Sequence, residues 1–172
     1  MESRAKLLGH PIHPMLIPFP LGLLGTAVLF DLIALIGGDW DSLARAAFYM
    51  IAAGIIGGLL AAVFGARDWL AIPGGTRAKG IATTHGLGNV IIVVLFIIAW
   101  LLRYDDPPSD ASGLPIVLEV IGALGALGTG WLGGELVDRL GVGVDPGAHL
   151  DAPSSLSGRP ASEDVADTRG TA

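Results

Sequence analysis

The sequence predicts an all-α integral membrane protein: a bundle of four transmembrane helices followed by a disordered C-terminal tail. Apolar stretches at 15–37, 44–66, 83–102 and 114–133 fill most of the 172 residues. Each approaches the roughly 20 residues that a helix needs to cross a bilayer. Hydrophobic residues make up 52% of the chain and charged residues only 15%, with a mean hydropathy of +0.65, whereas an average soluble domain is about 25% charged. The length leaves room for one compact unit. It divides into an interfacial N-terminal segment at 1–14, a four-span membrane domain at 15–144 and an acidic tail at 145–172.

Arg4 and Lys6 precede the first span as basic residues precede a signal peptide. The apolar run outlasts the usual ~7–15 residues and no small-residue cleavage site is clear, so it is read as a retained span. Pro14, Pro18 and Pro20 crowd its entrance. A proline beyond the first helical turn removes a backbone bond and clashes with the carbonyl four residues earlier. Regular helix is therefore expected to begin between Ile17 and Pro20, with 9–15 extended or turn-like against the bundle.

In the second span Gly54, Gly58 and Ala62 recur every four residues, and in the fourth Gly122, Ala126, Gly130 and Gly134 do the same. Small residues at that spacing are expected to form faces that another backbone can approach, which matters where leucine gains nothing by leaving lipid. Trp40, Trp69, Trp100 and Tyr104 fall near span ends, the level at which amphipathic rings anchor to head groups. Trp131 lies inside the fourth span beside the glycine face, as a packing residue or the wall of a cofactor pocket.

Lys and Arg collect on the cytoplasmic side of a span. Arg4, Lys6, Arg67, Arg77, Lys79, Arg139, Arg159 and Arg169 fall on the side of the termini and the central loop, against Arg45 and Arg103 on the other. That distribution predicts a multi-pass protein of the inner (plasma) membrane with both termini cytoplasmic. The opposite loops are acidic, carrying Asp39, Asp41, Asp105, Asp106 and Asp110. From Asp145 onward the chain is rich in Pro, Gly, Ser, Ala and Asp without apolar periodicity, a composition that cannot bury enough surface to order itself. A net charge of −6 leaves no basic surface for nucleic acid. The absence of cysteine rules out disulfides, thiolate-bound iron–sulfur clusters and covalent c-type haem, so any metal must use histidine and carboxylates.

Polar residues gather near both ends of the spans. His10 and His13 stand before the first span, His85 opens the third, and Asn89 follows His85 one turn later on the same face. Asp68 closes the second span and Glu135 the fourth. These residues are expected at one depth, each from a different helix end. Imidazoles with a nearby carboxylate suit haem iron or a divalent metal. The same residues could instead cap helix ends and bond to carbonyls, or serve proton or quinone chemistry. His10, His13, His85 and Asn89 are the cofactor candidates, and His10, His13, His85, Asp68 and Glu135 the metal candidates. Toward the opposite face Asp31 and Glu119 lie at matching depth, about 8 Å below the surface at about 1.5 Å per residue. Buried carboxylates need a partner, a proton or water, and Arg45 and Arg103 are the available counter-ions. A structural ion pair and a proton relay both fit that placement.

The runs GHPIHPMLIPFPLGLLG at 9–25, RDWLAIP at 67–73, RAKGIATTHGLGN at 77–89 and GWLGGELVDRLGVGV at 130–144 resemble the domain-of-unknown-function 2231 family of predicted bacterial membrane proteins. The resemblance spans about 5–145 and implies a topology with no established activity. Some similar proteins are joined to Rieske iron–sulfur domains, which by analogy implies electron transfer. The matching positions are His10, His13, Asp68, Trp69, His85, Asn89 and Glu135. Related sequences often carry Leu-Val-Tyr-x-His after the glycine pair, where this chain has Asp138 and Leu140.

The leading expectation is a small haem- or metal-binding electron-transfer subunit, with haem b or a divalent metal as the candidate cofactor and His10, His13 and His85 as ligands. The competing one is a non-catalytic structural or accessory membrane subunit, or a small-solute carrier. No Ser-His-Asp pattern, phosphate loop or dinucleotide fingerprint supports an enzyme. The expected partners are the lipid bilayer, a second copy of the chain or a redox protein.

Overall fold

The computed structural model describes residues 1–37, 40–104 and 113–164, with the side chains of Trp40 and Asp41 outside that description. The acidic residues Asp39, Asp105, Asp106 and Asp110, the Asp41 and Trp40 side chains, and Arg169 therefore lie outside the described residues.

The chain opens with a two-stranded antiparallel hairpin, β1 (Lys6–Leu7) and β2 (His10–Pro11), in which Lys6 faces Pro11 and Leu7 faces His10. Leu8 and Gly9 form its turn with φ of 51° and 86°, the pair of positive values that a two-residue hairpin turn demands. Five helices follow: α1 (Ile12–Leu16), α2 (Pro18–Leu35), α3 (Trp40–Ala71), α4 (Arg77–Leu102) and α5 (Leu114–Gly134). Helix α1 continues into α2 across Ile17, so the first span runs Ile12–Leu35. Helix thus begins earlier than the prolines suggest. Pro14 falls in the first turn of α1, where its missing N–H has no partner to lose, and Pro18 opens α2. The interruption falls between the two, where Ile17 N–H donates to the His13 carbonyl and Leu21 N–H to the Ile17 carbonyl, both at 3.2 Å.

Helices α3 and α4 also outrun their apolar stretches. Arg67, Asp68 and Trp69 continue α3 until the Pro73-Gly74-Gly75 loop stops it. Gly75 takes φ +74° in that loop. Helix α4 starts at Arg77 because the Thr76 hydroxyl caps it, accepting from Lys79 N–H at 3.2 Å.

Among the described residues, four helices are long and apolar enough to cross a membrane. Consecutive spans are antiparallel neighbours, α2 packing most extensively on α3 and α4 on α5, while α3 meets α4 and α2 meets α5 along narrower seams. The core joins Leu24, Ala27 and Val28 of α2, Ala47, Ile51 and Ile55 of α3, and Ile92 and Phe96 of α4, flanked by Val120, Ala123 and Ala126 of α5. Only 17% of the apolar window of α4 is buried, and its exposed positions include the apolar residues Leu87, Val90, Ile91 and Val94, as expected of a helix that meets lipid.

The glycine faces pack, with a shifted register. A Cβ on Gly122 would lie 2.8 Å from Phe96 Cε2, one on Gly125 3.3 Å from Ile92 Cγ1 and one on Gly133 3.3 Å from His85 Cε1, whereas Gly130 has open space. A strict four-residue repeat overshoots the 3.6-residue turn by about 40° per step, and Gly130 has rotated off the seam. Trp131 rotates outward with it and is 67% exposed, facing the surroundings and not a pocket.

Beyond α5 a single π-helical turn, Glu135–Arg139, carries Leu136 onto Ile72 and Ala82. The described part of the tail, 145–164, holds no regular element except a 3-10 turn at Ser155–Ser157. It touches the N-terminal hairpin through the Lys6–Asp145 ion pair and through Ser155 Oγ, 3.3 Å from His10 Nε2. Asp145, and after it Glu2, raises the pKa of the Lys6 amine above its ordinary value.

Replacing Gly122 with Ala should lower stability by about 1–3 kcal/mol through overpacking against Phe96, while Gly130→Ala should change it by less than about 0.5 kcal/mol. Denaturation of the two purified variants by titrated SDS checks this, and equal losses would contradict the seam.

Candidate functional site

The end of the bundle that carries the N-terminal hairpin holds a histidine pair. His13, in α1, and His85, in α4, approach edge to face with ring centroids 6.5 Å apart. His13 Nδ1 lies 2.8 Å from the Ala61 carbonyl of α3, and His85 Nδ1 lies 2.8 Å from the Thr129 carbonyl of α5. A carbonyl only accepts, so each ring carries a proton on Nδ1, and in the neutral ring that leaves the lone pair on Nε2. Glycines make room for both rings. A Cβ on Gly65 would sit 2.8 Å from His13 Cε1, and Gly133 backs His85 as described above.

Asn89 completes this group. Its amide nitrogen donates to the His85 carbonyl at 2.9 Å and lies 3.2 Å from His85 Nε2, while its oxygen accepts from the Thr129 hydroxyl at 3.1 Å. Thr129 is buried and therefore binds α5 to α4 through both its hydroxyl and its carbonyl.

The other residues expected beside these histidines go elsewhere. His10 is exposed in the hairpin, next to Ser155 of the tail. Asp68 holds down the N-terminal segment: the buried Ser3 hydroxyl is 2.8 Å from both carboxylate oxygens, and the Arg4 N–H donates to one of them at 2.7 Å. Glu135 pairs with Arg77 at 2.5 Å. Among the described residues, no three His, Asp or Glu side chains stand close enough together to hold one metal ion. The direction each side chain takes around its helix was not legible in the sequence, and nothing there marked Ser3 as the partner of Asp68.

The opposite end is built around Arg103, the residue that caps the C-terminus of α4. Its guanidinium meets Asp31 of α2 through two bonds, Nη1 to Oδ2 at 2.7 Å and Nη2 to Oδ1 at 3.1 Å. Nη1 also donates to Glu119 Oε1 of α5 at 2.9 Å, and Nη2 donates to the Ala44 carbonyl of α3 at 3.0 Å. Asp31 and Glu119 are 0% exposed and Arg103 is 1% exposed. Of the two arginines expected as counter-ions, Arg103 turns inward and Arg45 lies at the surface. Phe48, Trp100 and Tyr104 form an aromatic cluster beside this group, with Phe48 and Trp100 stacked at 5.3 Å. Buried side-chain atoms without a hydrogen-bond partner among the described residues are Trp100 Nε1, Arg103 Nε and Glu119 Oε2.

Four apolar helices joined by bonds between their polar side chains define a multi-pass integral membrane protein. Residues 9–146 match the family described as Predicted membrane protein (DUF2231), and the chain belongs to that family. The match takes in both polar clusters and stops short of most of the tail. No curated protein and no solved structure matches the chain.

The Asn89–Thr129 contact should appear as a favourable coupling of about 0.6 kcal/mol, the average for interhelical hydrogen bonds in a membrane protein. A double-mutant cycle with Asn89→Ala and Thr129→Val, read by SDS unfolding, measures it. Strict additivity would mean the bond contributes nothing.

Proposed function

We propose that this chain is a non-enzymatic structural or accessory subunit of the plasma membrane: a rigid four-span element whose intramembrane polar groups bind helix to helix. One observation carries the reading. His13 ties α1 to α3, His85 and Thr129 tie α4 to α5, and Arg103 ties α4 to α2, α3 and α5. Side chains spent on backbone carbonyls and on each other hold a shape. The basic residues support an orientation with cytoplasmic termini. Burial of Arg103 among carboxylates leaves Arg45 as the only basic residue exposed on the opposite side among the described residues. Lipid surrounds the bundle, and a second copy or a redox protein is the partner class that an accessory subunit would serve.

A second reading, a haem- or metal-binding electron-transfer subunit, draws on the histidine pair. An Nδ1–H bonded to a carbonyl is the arrangement that fixes a metal-ligating imidazole and presents its Nε2. His13 and His85 both have it. A metal ion would take the two Nε2 atoms after Asn89 swings off His85. A porphyrin would have to part rings whose centroids are 6.5 Å apart.

The accessory reading expects detergent-purified protein with no Soret band, no stoichiometric metal, and migration with a larger membrane complex under mild solubilisation. A Soret band or stoichiometric metal that disappears in His85→Ala would replace it with the second reading.

A further inference from the structure

The Arg103 site has more negative groups than its single cation can balance. Asp31 and Glu119, both ionised, would leave one net negative charge fully buried within the spans, at a cost that normally forces pairing, protonation or hydration. The two carboxyls are not held alike. Asp31 receives two guanidinium bonds, one on each oxygen. Glu119 receives one, on Oε1, and its Oε2 is buried without any donor. An ionised carboxylate is acceptor-only, whereas a protonated one carries a donor of its own. Asp31 Oδ2 and Glu119 Oε1 converge on the same guanidinium nitrogen, Nη1, where two ionised carboxylates would repel each other and one proton removes the repulsion.

We infer that the Asp31–Glu119 pair is a proton-binding site within the membrane domain, Glu119 carrying the proton and Asp31 remaining the carboxylate that balances Arg103. Among the described residues, the groups facing it are Arg103 from the end of α4, Asp31 from α2, Glu119 from α5 and the Ala44 carbonyl from α3. The site is thereby neutral, and the proton does for Oε2 what no other described side chain does. Removing either carboxylate leaves the other to balance Arg103: in Glu119→Gln, Asp31 is already ionised, and in Asp31→Asn, Glu119 releases its proton. Removing both strands the guanidinium.

Infrared spectroscopy of the full-length protein in detergent at pH 7 tests this. Wild type is expected to show the C=O stretch of a protonated carboxyl, shifting in D2O, retained in Glu135→Gln and lost in Glu119→Gln and in Asp31→Asn. Each single variant is expected to keep a melting midpoint near that of wild type, and the double variant to fall by about 10 °C. No protonated-carboxyl band in wild type would overturn the inference, as would its persistence in Glu119→Gln or single variants that lose as much as the double. The wild-type spectrum decides even if a variant fails to fold, and its result is independent of whether the histidine pair binds a metal.

Discussion

The interior of a bilayer has no water to satisfy a polar group, so each such group must find its partner in the protein. Arg103 meets that constraint for the whole bundle. Standing where α4 ends, it reaches a carboxylate on α2, a carboxyl on α5 and a backbone carbonyl on α3, so one side chain touches every other span. Removing Arg103 from such a buried group leaves an uncompensated charge. The arrangement therefore fixes helix rotation more firmly than apolar packing can, because in lipid leucine has nearly the same surroundings wherever it points.

The other end reaches the same result by distributed means. His13 and His85 each bond to a carbonyl of a neighbouring span, and Asn89 and Thr129 join α4 to α5. Gly65 and Gly133 bring the backbones close enough for the rings to fit. Asp68 then binds Ser3 and Arg4, which seats the N-terminal hairpin over the end of α3. One end is thus held by a concentrated charge cluster and the other by hydrogen bonds spread over several side chains, with the apolar layer of Ile51, Ile55, Ile92 and Phe96 between them.

The four spans were legible in the sequence because lipid imposes hydropathy over a whole helix length. Their ends were less so, since a cap such as Thr76 or a tolerated proline such as Pro14 is a matter of local geometry that hydropathy does not register. The same limit governs the sites. Depth along a helix follows from counting residues, which is why Asp31 and Glu119 were expected together. Rotation around the axis does not, and it separates Arg103 from Arg45, sends Gly130 and Trp131 outward, and keeps Asp68 and Glu135 away from the histidine pair, while the hairpin carries His10 off. The Leu8–Gly9 turn escaped notice because a leucine at positive φ is uncommon, leaving only Gly9 as a weak signal.

Arg103 holds all four spans in register, and the stability of an Arg103→Met variant measures that directly against Arg45→Met as a surface control. SDS titration of purified protein should show a loss of about 3–5 kcal/mol for Arg103→Met and a change within about 0.5 kcal/mol for Arg45→Met. Equal, small changes in both would contradict the account and place the source of register in the apolar packing alone.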